Sequence, residues 1–260
     1  MQLKKSIKEI KRVIKLRNEY KNIVDVTFYI PCLNEENLIF QTLQKIKICL
    51  SQTEFSYELM IYNDGSTDNS LLEINRFKKN NQDILINVMS FKKSRGLGYN
   101  YIDGAHKGLG KYYMMICGDN SETEESLLDI LNELGSADII IPYFGLGDQR
   151  QFQRVILSLF FTKIVNLINR NNIKYYNGVV LHLRENVTRY SPSSSGFGYQ
   201  AELISILLLQ NKTYKHVSIM NNDRKIGISR AFKIKNIFSV THSLIQILFR
   251  RIRNDIWPIN

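Results

Sequence analysis

Five short runs rich in β-branched and aromatic residues constrain this chain most: Val26 to Pro31, Tyr57 to Tyr62, Ile84 to Ser90, Tyr112 to Cys117 and Asp138 to Pro142. Helical patterns separate them at Glu36 to Leu50, Asn69 to Lys79, Leu97 to Gly108 and Thr123 to Leu134. Four strand-to-helix alternations call for right-handed crossovers, hence a Rossmann-like α/β fold with a mostly parallel sheet and helices on both faces. After Pro142 the rhythm changes. It reads as a helix at about Gln151 to Asn169, a hairpin around Tyr175 to Arg184, and a loop containing Ser191, Ser193, Ser194 and Ser195. A helix at Gly198 to Leu209, a strand at His216 to Met220 and a basic amphipathic helix from about Ile237 to Ile252 complete the pattern. The chain has 260 residues and no internal repeat, so one continuous domain is expected at 23–235. Within it, 23–120 and 121–235 form two halves, flanked by segments 1–22 and 236–260.

Charge follows the same division. The formal net charge is +11, yet residues 1–22 hold eight Lys/Arg against two Glu, and 224–253 hold eight Lys/Arg and no acid. The remaining body has 19 basic and 22 acidic side chains. Basicity therefore belongs to the ends, and a nucleic-acid partner is not expected. Leu3, Ile7, Ile10, Val13, Ile14 and Leu16 alternate with lysines, and Ile237, Phe238, Leu244, Ile245, Leu248 and Phe249 precede Arg250, Arg251 and Arg253. Such helices suit an anionic membrane surface. No run reaches the roughly 18 residues that span a bilayer, and no signal peptide is expected. Cys32, Cys49 and Cys117 form no C-x-x-C pair, which argues against a disulfide framework and fits a reducing cytosol.

The chemistry gathers at strand ends, where open parallel sheets bind ligands. The first strand runs into Pro31-Cys32-Leu33-Asn34-Glu35-Glu36 and the second into Asn63-Asp64-Gly65-Ser66-Thr67-Asp68, with Asp68 placed to cap the next helix. The fourth ends in Cys117-Gly118-Asp119-Asn120 after the spaced glycines Gly96, Gly98, Gly104 and Gly108. A carboxylate there suits Mg²⁺ or Mn²⁺ bridging a nucleotide diphosphate. Gly96 and Gly98 lack the third glycine of a dinucleotide fingerprint, which argues against a Rossmann dehydrogenase.

These motifs in this order resemble family 2 glycosyltransferases of the GT-A fold. Downstream, Arg150 to Asn166, Asn177-Gly178 through Arg184, and Arg224 to Arg230 resemble segments of the dolichyl-phosphate mannose synthase branch; the similarity runs from about 24 to 235. The resemblance implies that Pro31, Leu33, Glu35, Tyr62 and Asp64 surround the base and ribose of a nucleotide sugar. It sets Cys117, Gly118 and Asp119 at the D-x-D position, with Asp119 as metal ligand, and Arg224 and Arg230 against phosphate. The chain departs from the family at three points: Asn63 for the first aspartate of D-D-G-S, Cys117 for the first of D-x-D, and Leu181 for an arginine.

The implied activity is inverting transfer from a UDP- or GDP-sugar to a polyprenyl-phosphate or lipid-linked acceptor at the cytoplasmic membrane face. Departure of a nucleoside diphosphate builds negative charge that a metal and the Arg224 and Arg230 guanidinium groups would offset. A saccharide hydroxyl acceptor, as in cell-surface polysaccharide synthesis, would instead need a base, for which Glu202 is the best-placed carboxylate. A non-catalytic nucleotide-sugar binder, motivated by Cys117, and a basic nucleic-acid-binding protein are the remaining readings.

Overall fold

A computed structural model of the chain describes residues 24–145, 148, 150–189, 196, 198–220 and 234–257. Its elements are β1 (Val26–Cys32), α1 (Ile39–Leu50), β2 (Tyr57–Asp64), α2 (Ser70–Asn80), β3 (Leu85–Phe91), α3 (Leu97–Lys107), β4 (Tyr112–Met115) and α4 (Glu124–Leu131). There follow β5 (Ile139–Phe144), α5 (Phe152–Asn169), β6 (Leu181–Leu183), α6 (Arg184–Thr188), α7 (Tyr199–Leu209), β7 (Tyr214–Ile219) and α8 (Ile234–Ile256). The amphipathic segment 1–22, the Ser191 to Ser195 loop, and Arg224 and Arg230 lie outside the described residues.

Seven strands form one mixed sheet in the order β3-β2-β1-β4-β6-β5-β7. Every adjacent pair is parallel except those made by β6, which runs antiparallel to both β4 and β5. Strand side chains alternate between two cores, as a two-sided sheet requires. Val26, Phe28, Ile30 and Cys32 of β1 face Ile39, Leu43 and Ile46 of α1 and Ile130 of α4. Tyr29, between them, turns to the opposite core with Tyr101 of α3, Tyr113 of β4 and Tyr199 of α7. Tyr101 sits with ring centroids 4.8 Å from Tyr113 and 4.9 Å from Tyr199, in tilted geometries that favour aromatic pairs.

The expected α/β alternation is present, and the expected hairpin at Tyr175 to Arg184 is corrected. Only Leu181–Leu183 is strand, and it pairs with two strands distant in sequence rather than with its own neighbour. Helix α1 also starts at Ile39, three residues later than expected, because Glu36 is engaged elsewhere.

Candidate active site

The loops leaving β1 and β2 hold each other. Asn34, at a left-handed φ of 54°, donates its N–H to Ser66 Oγ at 3.0 Å and accepts from Thr67 N–H at 2.8 Å. Glu35 N–H reaches Ser70 Oγ at 2.8 Å, Glu36 N–H reaches Asp68 at 3.1 Å, and the Glu36 carboxylate accepts from Asn69 N–H at 2.9 Å. Asp68 also accepts from the N–H and hydroxyl of Ser70. Desolvation raises the Asp68 pKa, and these hydrogen bonds outweigh it, leaving the carboxyl below its ordinary range.

Asp64, at the end of β2, accepts from Ser94 Oγ at 2.7 Å and from the N–H groups of Arg95 and Gly96 at 2.8 and 3.2 Å. It thereby ties down the β3–α3 loop. Gly65 makes this approach possible: its φ is +84°, and a Cβ there would fall 2.8 Å from Ser94 N. The Arg95 guanidinium lies over the rings of Phe91 and Tyr99 at 4.4 and 4.2 Å.

On the other side of β1, Gly118 donates its N–H to Pro31 O at 3.2 Å, and a Cβ at this glycine would lie 2.6 Å from that oxygen. The two ends of the site are thus registered through β1. Asp64 closes β2 and Asp119 follows β4, the two strands that flank β1 in parallel, so both lie toward the carboxyl ends of these strands. Helix α1 then shapes the loop after β4. Thr42 Oγ1 donates to Gly118 O at 3.1 Å, and Lys45 Nζ donates to Asn120 O at 3.4 Å and Glu122 O at 2.7 Å. With Asn120 left-handed at φ 60°, the chain doubles back.

The reversal brings one ligand atom each of Cys117, Asp119 and Glu122 within 4.8 Å of one another. Burial and the nearby Asp119 charge raise the Glu122 pKa to about 7, and burial with the Glu122 and Asp119 charges pushes the Cys117 thiol well up. A thiol and a carboxyl whose charged forms are disfavoured without a counter-charge, clustered with the Asp119 carboxylate, suit a divalent cation. The Glu122 Oε2 atom, buried and with no hydrogen-bond partner among the described residues, adds to the fit.

These groups open on a cavity of about 110 Å³ whose far wall carries Phe144, Arg150, Arg154, Tyr175 and Gly178. Arg150 is fixed there by an ion pair to Asp148 at 2.6 Å, by donation to Tyr175 Oη at 3.0 Å, and by stacking over Phe144 at 4.2 Å. Met220, the last described residue before the segment bearing Arg224 and Arg230, also lines the cavity.

Of the expected site residues, Cys117 and Asp119 line the cavity, whereas Pro31, Leu33, Glu35, Asp64 and Gly118 lie at or just beyond the carboxyl ends of β1, β2 and β4, outside its lining. Two more sit elsewhere. Tyr62 is buried, its hydroxyl donating to Asp103 of α3 at 2.8 Å, and Glu202 in the first turn of α7 is fully buried and absent from the cavity lining.

The model of glycosyl transferase family 2 matches residues 27–203, more than half of the chain. The chain belongs to that family. Among curated proteins, the glycosyltransferase is 28% identical over 110 residues to the uncharacterized glycosyltransferase YkcC of Bacillus subtilis, covering 42% of this chain and 33% of that protein. It is 27% identical over 112 residues to poly-beta-1,6-N-acetyl-D-glucosamine synthase of Staphylococcus epidermidis, covering 43% of this chain and 26% of that one. The glycosyltransferase thus spans about a third or less of these two relatives. A longer match, 23% identical over 261 residues, covers 93% of the chain and 80% of dolichyl-phosphate beta-glucosyltransferase from Dictyostelium discoideum. In fold, it superposes on glucosyl-3-phosphoglycerate synthase from Mycobacterium tuberculosis, solved with Mn²⁺, UDP and glucosyl-3-phosphoglycerate. The TM-score is 0.64 at 14% identity, over 92% of this chain and 83% of that one. The shared architecture is GT-A.

Glu122, Arg150 and Arg154 line the cavity and were not among the expected site residues. For Glu122 a signal existed, since C-G-D-N-S-E places a third potential ligand only three residues after Asp119.

Proposed function

We propose that this glycosyltransferase moves a hexosyl group, with inversion, from a UDP- or GDP-sugar to a polyprenyl-phosphate or lipid-linked acceptor at the cytoplasmic face of an anionic membrane. One observation carries the lipid reading. The start of α5, next to the Arg150 and Arg154 wall, turns Phe152, Ile156, Leu157, Leu159 and Phe160 into solvent. Helix α8, packed beside α5, adds a stripe of exposed apolar residues at Phe238, Ile245, Phe249, Ile252 and Ile256, with Trp257 beyond it. Arg250, Arg251 and Arg253 accompany that stripe against a single acid, Asp255. Contiguous apolar surface of this kind, edged by arginines, suits the boundary of an anionic bilayer. Among the described residues no helix is long and apolar enough to cross one. The Dictyostelium relative, named for dolichyl phosphate, points the same way.

In this reading Pro31, Leu33, Glu35, Tyr62 and Asp64 serve the base and ribose: Asp64 by fixing the loop that carries Arg95, Tyr62 from beneath it. Cys117, Asp119 and Glu122 would hold the divalent ion, which neutralises charge on the departing diphosphate. Arg224 and Arg230 serve the donor phosphates. Arg150 and Arg154 serve the acceptor phosphate, Arg150 being pre-oriented by Asp148 so that little is lost in ordering it. A phosphate acceptor arrives ionised and needs no base. The burial of Glu202 agrees, because a sealed carboxylate does not reach a saccharide hydroxyl.

The test is radiolabelled UDP-glucose, UDP-N-acetylglucosamine and GDP-mannose offered with polyprenyl phosphate in anionic vesicles and, separately, with soluble oligosaccharides. Label extracted with lipid supports the proposal. Label found only on oligosaccharide overturns it.

A further inference from the structure

We infer that the site selects a thiophilic divalent ion such as Co²⁺, Zn²⁺ or Cd²⁺ over Mg²⁺, binding it through one sulfur and two carboxylates: Cys117 Sγ, Asp119 and Glu122. This deepens the glycosyl-transfer reading, and rests on it for the diphosphate that completes the coordination. The three ligand atoms already lie within 4.8 Å of one another. A common centre with metal–sulfur and metal–oxygen bonds near 2.3 and 2.1 Å would set sulfur and oxygen about 3.6 Å apart, so closing the set takes shifts of about 1 Å. The loop is built to present them. Lys45 holds the backbone carbonyls of Asn120 and Glu122, and the left-handed turn at Asn120 sends Glu122 back toward Cys117. Glu122 Oε2 is buried with no hydrogen-bond partner among the described residues, a position whose desolvation a cation would offset.

Cys117 decides which cation. Mg²⁺ demands near-octahedral oxygen coordination and sheds water reluctantly, so a sulfur in its shell is a poor partner. Thiolate suits Zn²⁺, Co²⁺ and Cd²⁺, while carboxylate alone suits Mg²⁺ and Mn²⁺. A mixed sulfur and oxygen set therefore favours softer ions, and three protein donors leave positions open for phosphate oxygens. In this light Glu122 compensates for the carboxylate that Cys117 replaces.

The test uses the whole purified protein in a thiol-free reductant with UDP present. Co²⁺ is titrated while near-ultraviolet absorption is followed for a thiolate-to-cobalt charge-transfer band, and Mg²⁺, Mn²⁺ and Cd²⁺ are titrated by calorimetry. The band is expected in the wild type and absent in Cys117→Ser, which retains Cys32 and Cys49. Cd²⁺ should bind at least about tenfold more tightly than Mg²⁺, and Cys117→Asp should narrow or reverse that ratio while abolishing the band. Glu122→Gln should weaken binding of both ions by about tenfold or more, with the circular dichroism spectrum retained. Co²⁺ bound without the band, a band surviving in Cys117→Ser, or equal Mg²⁺ and Cd²⁺ affinity overturns the inference. Because none of these readouts depends on turnover, such a result with intact sugar transfer leaves the proposed function standing. The band without any transfer overturns the function and leaves the ion site.

Discussion

Two regions of the molecule are held in opposite ways. Near the carboxyl ends of β1, β2 and β3, the β1–α1, β2–α2 and β3–α3 loops satisfy one another's backbone amides through Asn34, Glu36, Ser66, Asp68 and Asp64. Around α5 and α8, by contrast, Phe160, Leu167, Phe249 and, just past α8, Trp257 turn outward, each more than 60% exposed. A nucleotide is the same ligand at every turnover, and a cross-linked cradle loses little entropy when it binds. Under the proposed function, a long apolar acceptor in a fluid bilayer asks for adaptable surface instead, so that fixed geometry would serve one substrate and hydrophobic contact the other.

The comparison breaks most readily at its centre. Asp119→Ala should lower kcat/KM for sugar transfer by about 10³-fold, the scale of losing one preorganised electrostatic contact, while thermal unfolding moves little. A drop below tenfold would remove Asp119 from the reaction. Around α5 and α8, Phe160→Ser, Leu167→Ser and Phe249→Ser combined should cut vesicle binding by about 10²-fold or more, since each large apolar side chain contributes about 1.5–3 kcal/mol when withdrawn from water. UDP binding should hold, and co-sedimentation beside calorimetry separates the two effects. Equal loss of both would show that the regions are not independent.

A third test addresses the strand that joins the two regions. His182 of β6 is fully buried, neither ring nitrogen has a hydrogen-bond partner among the described residues, and burial lowers its pKa to about 3. The unfolded chain takes up a proton near pH 6.5, whereas the folded protein stays neutral until about pH 3. Stability is therefore lost as pH falls through that window, by about 1.4 kcal/mol per pH unit from this group. Urea unfolding at pH 7.5 and pH 5 should show about 2 kcal/mol more loss in the wild type than in His182→Leu. Equal pH dependence would refute the assignment. The smallest effect is expected at the stitched loops: Asn34→Ala should cost about 1–2 kcal/mol, read as a fall in Tm of a few degrees, and should raise KM for the nucleotide sugar alone.

How much of this was legible in the sequence follows the same division. The strands and helices of the first half obey local periodicity, and their loops carry turn residues whose chemistry is local, so the turns that hold Asp64, Gly118 and Asp119 could be read directly. Leu181–Leu183 was misread because three residues cannot reveal partners some 40 and 70 positions away. Arg150 and Arg154 reach the cavity only through the tertiary path of the β5–α5 connection, and a single guanidinium has no period to detect. Glu202 fitted every local rule for an exposed first-turn carboxylate, yet the packing of α7 against the sheet seals it.

The three residues of β6 also order events during synthesis. Two parallel blocks, β3-β2-β1-β4 and β5-β7, meet only through a strand made after α5. A nascent chain released at β5 would leave one lateral face of β4 with open amides and carbonyls, a template for pairing with other chains. The ribosome must deliver Leu183 before the sheet can close, which makes the interval between β5 and β6 the stretch of translation when this protein most needs a chaperone.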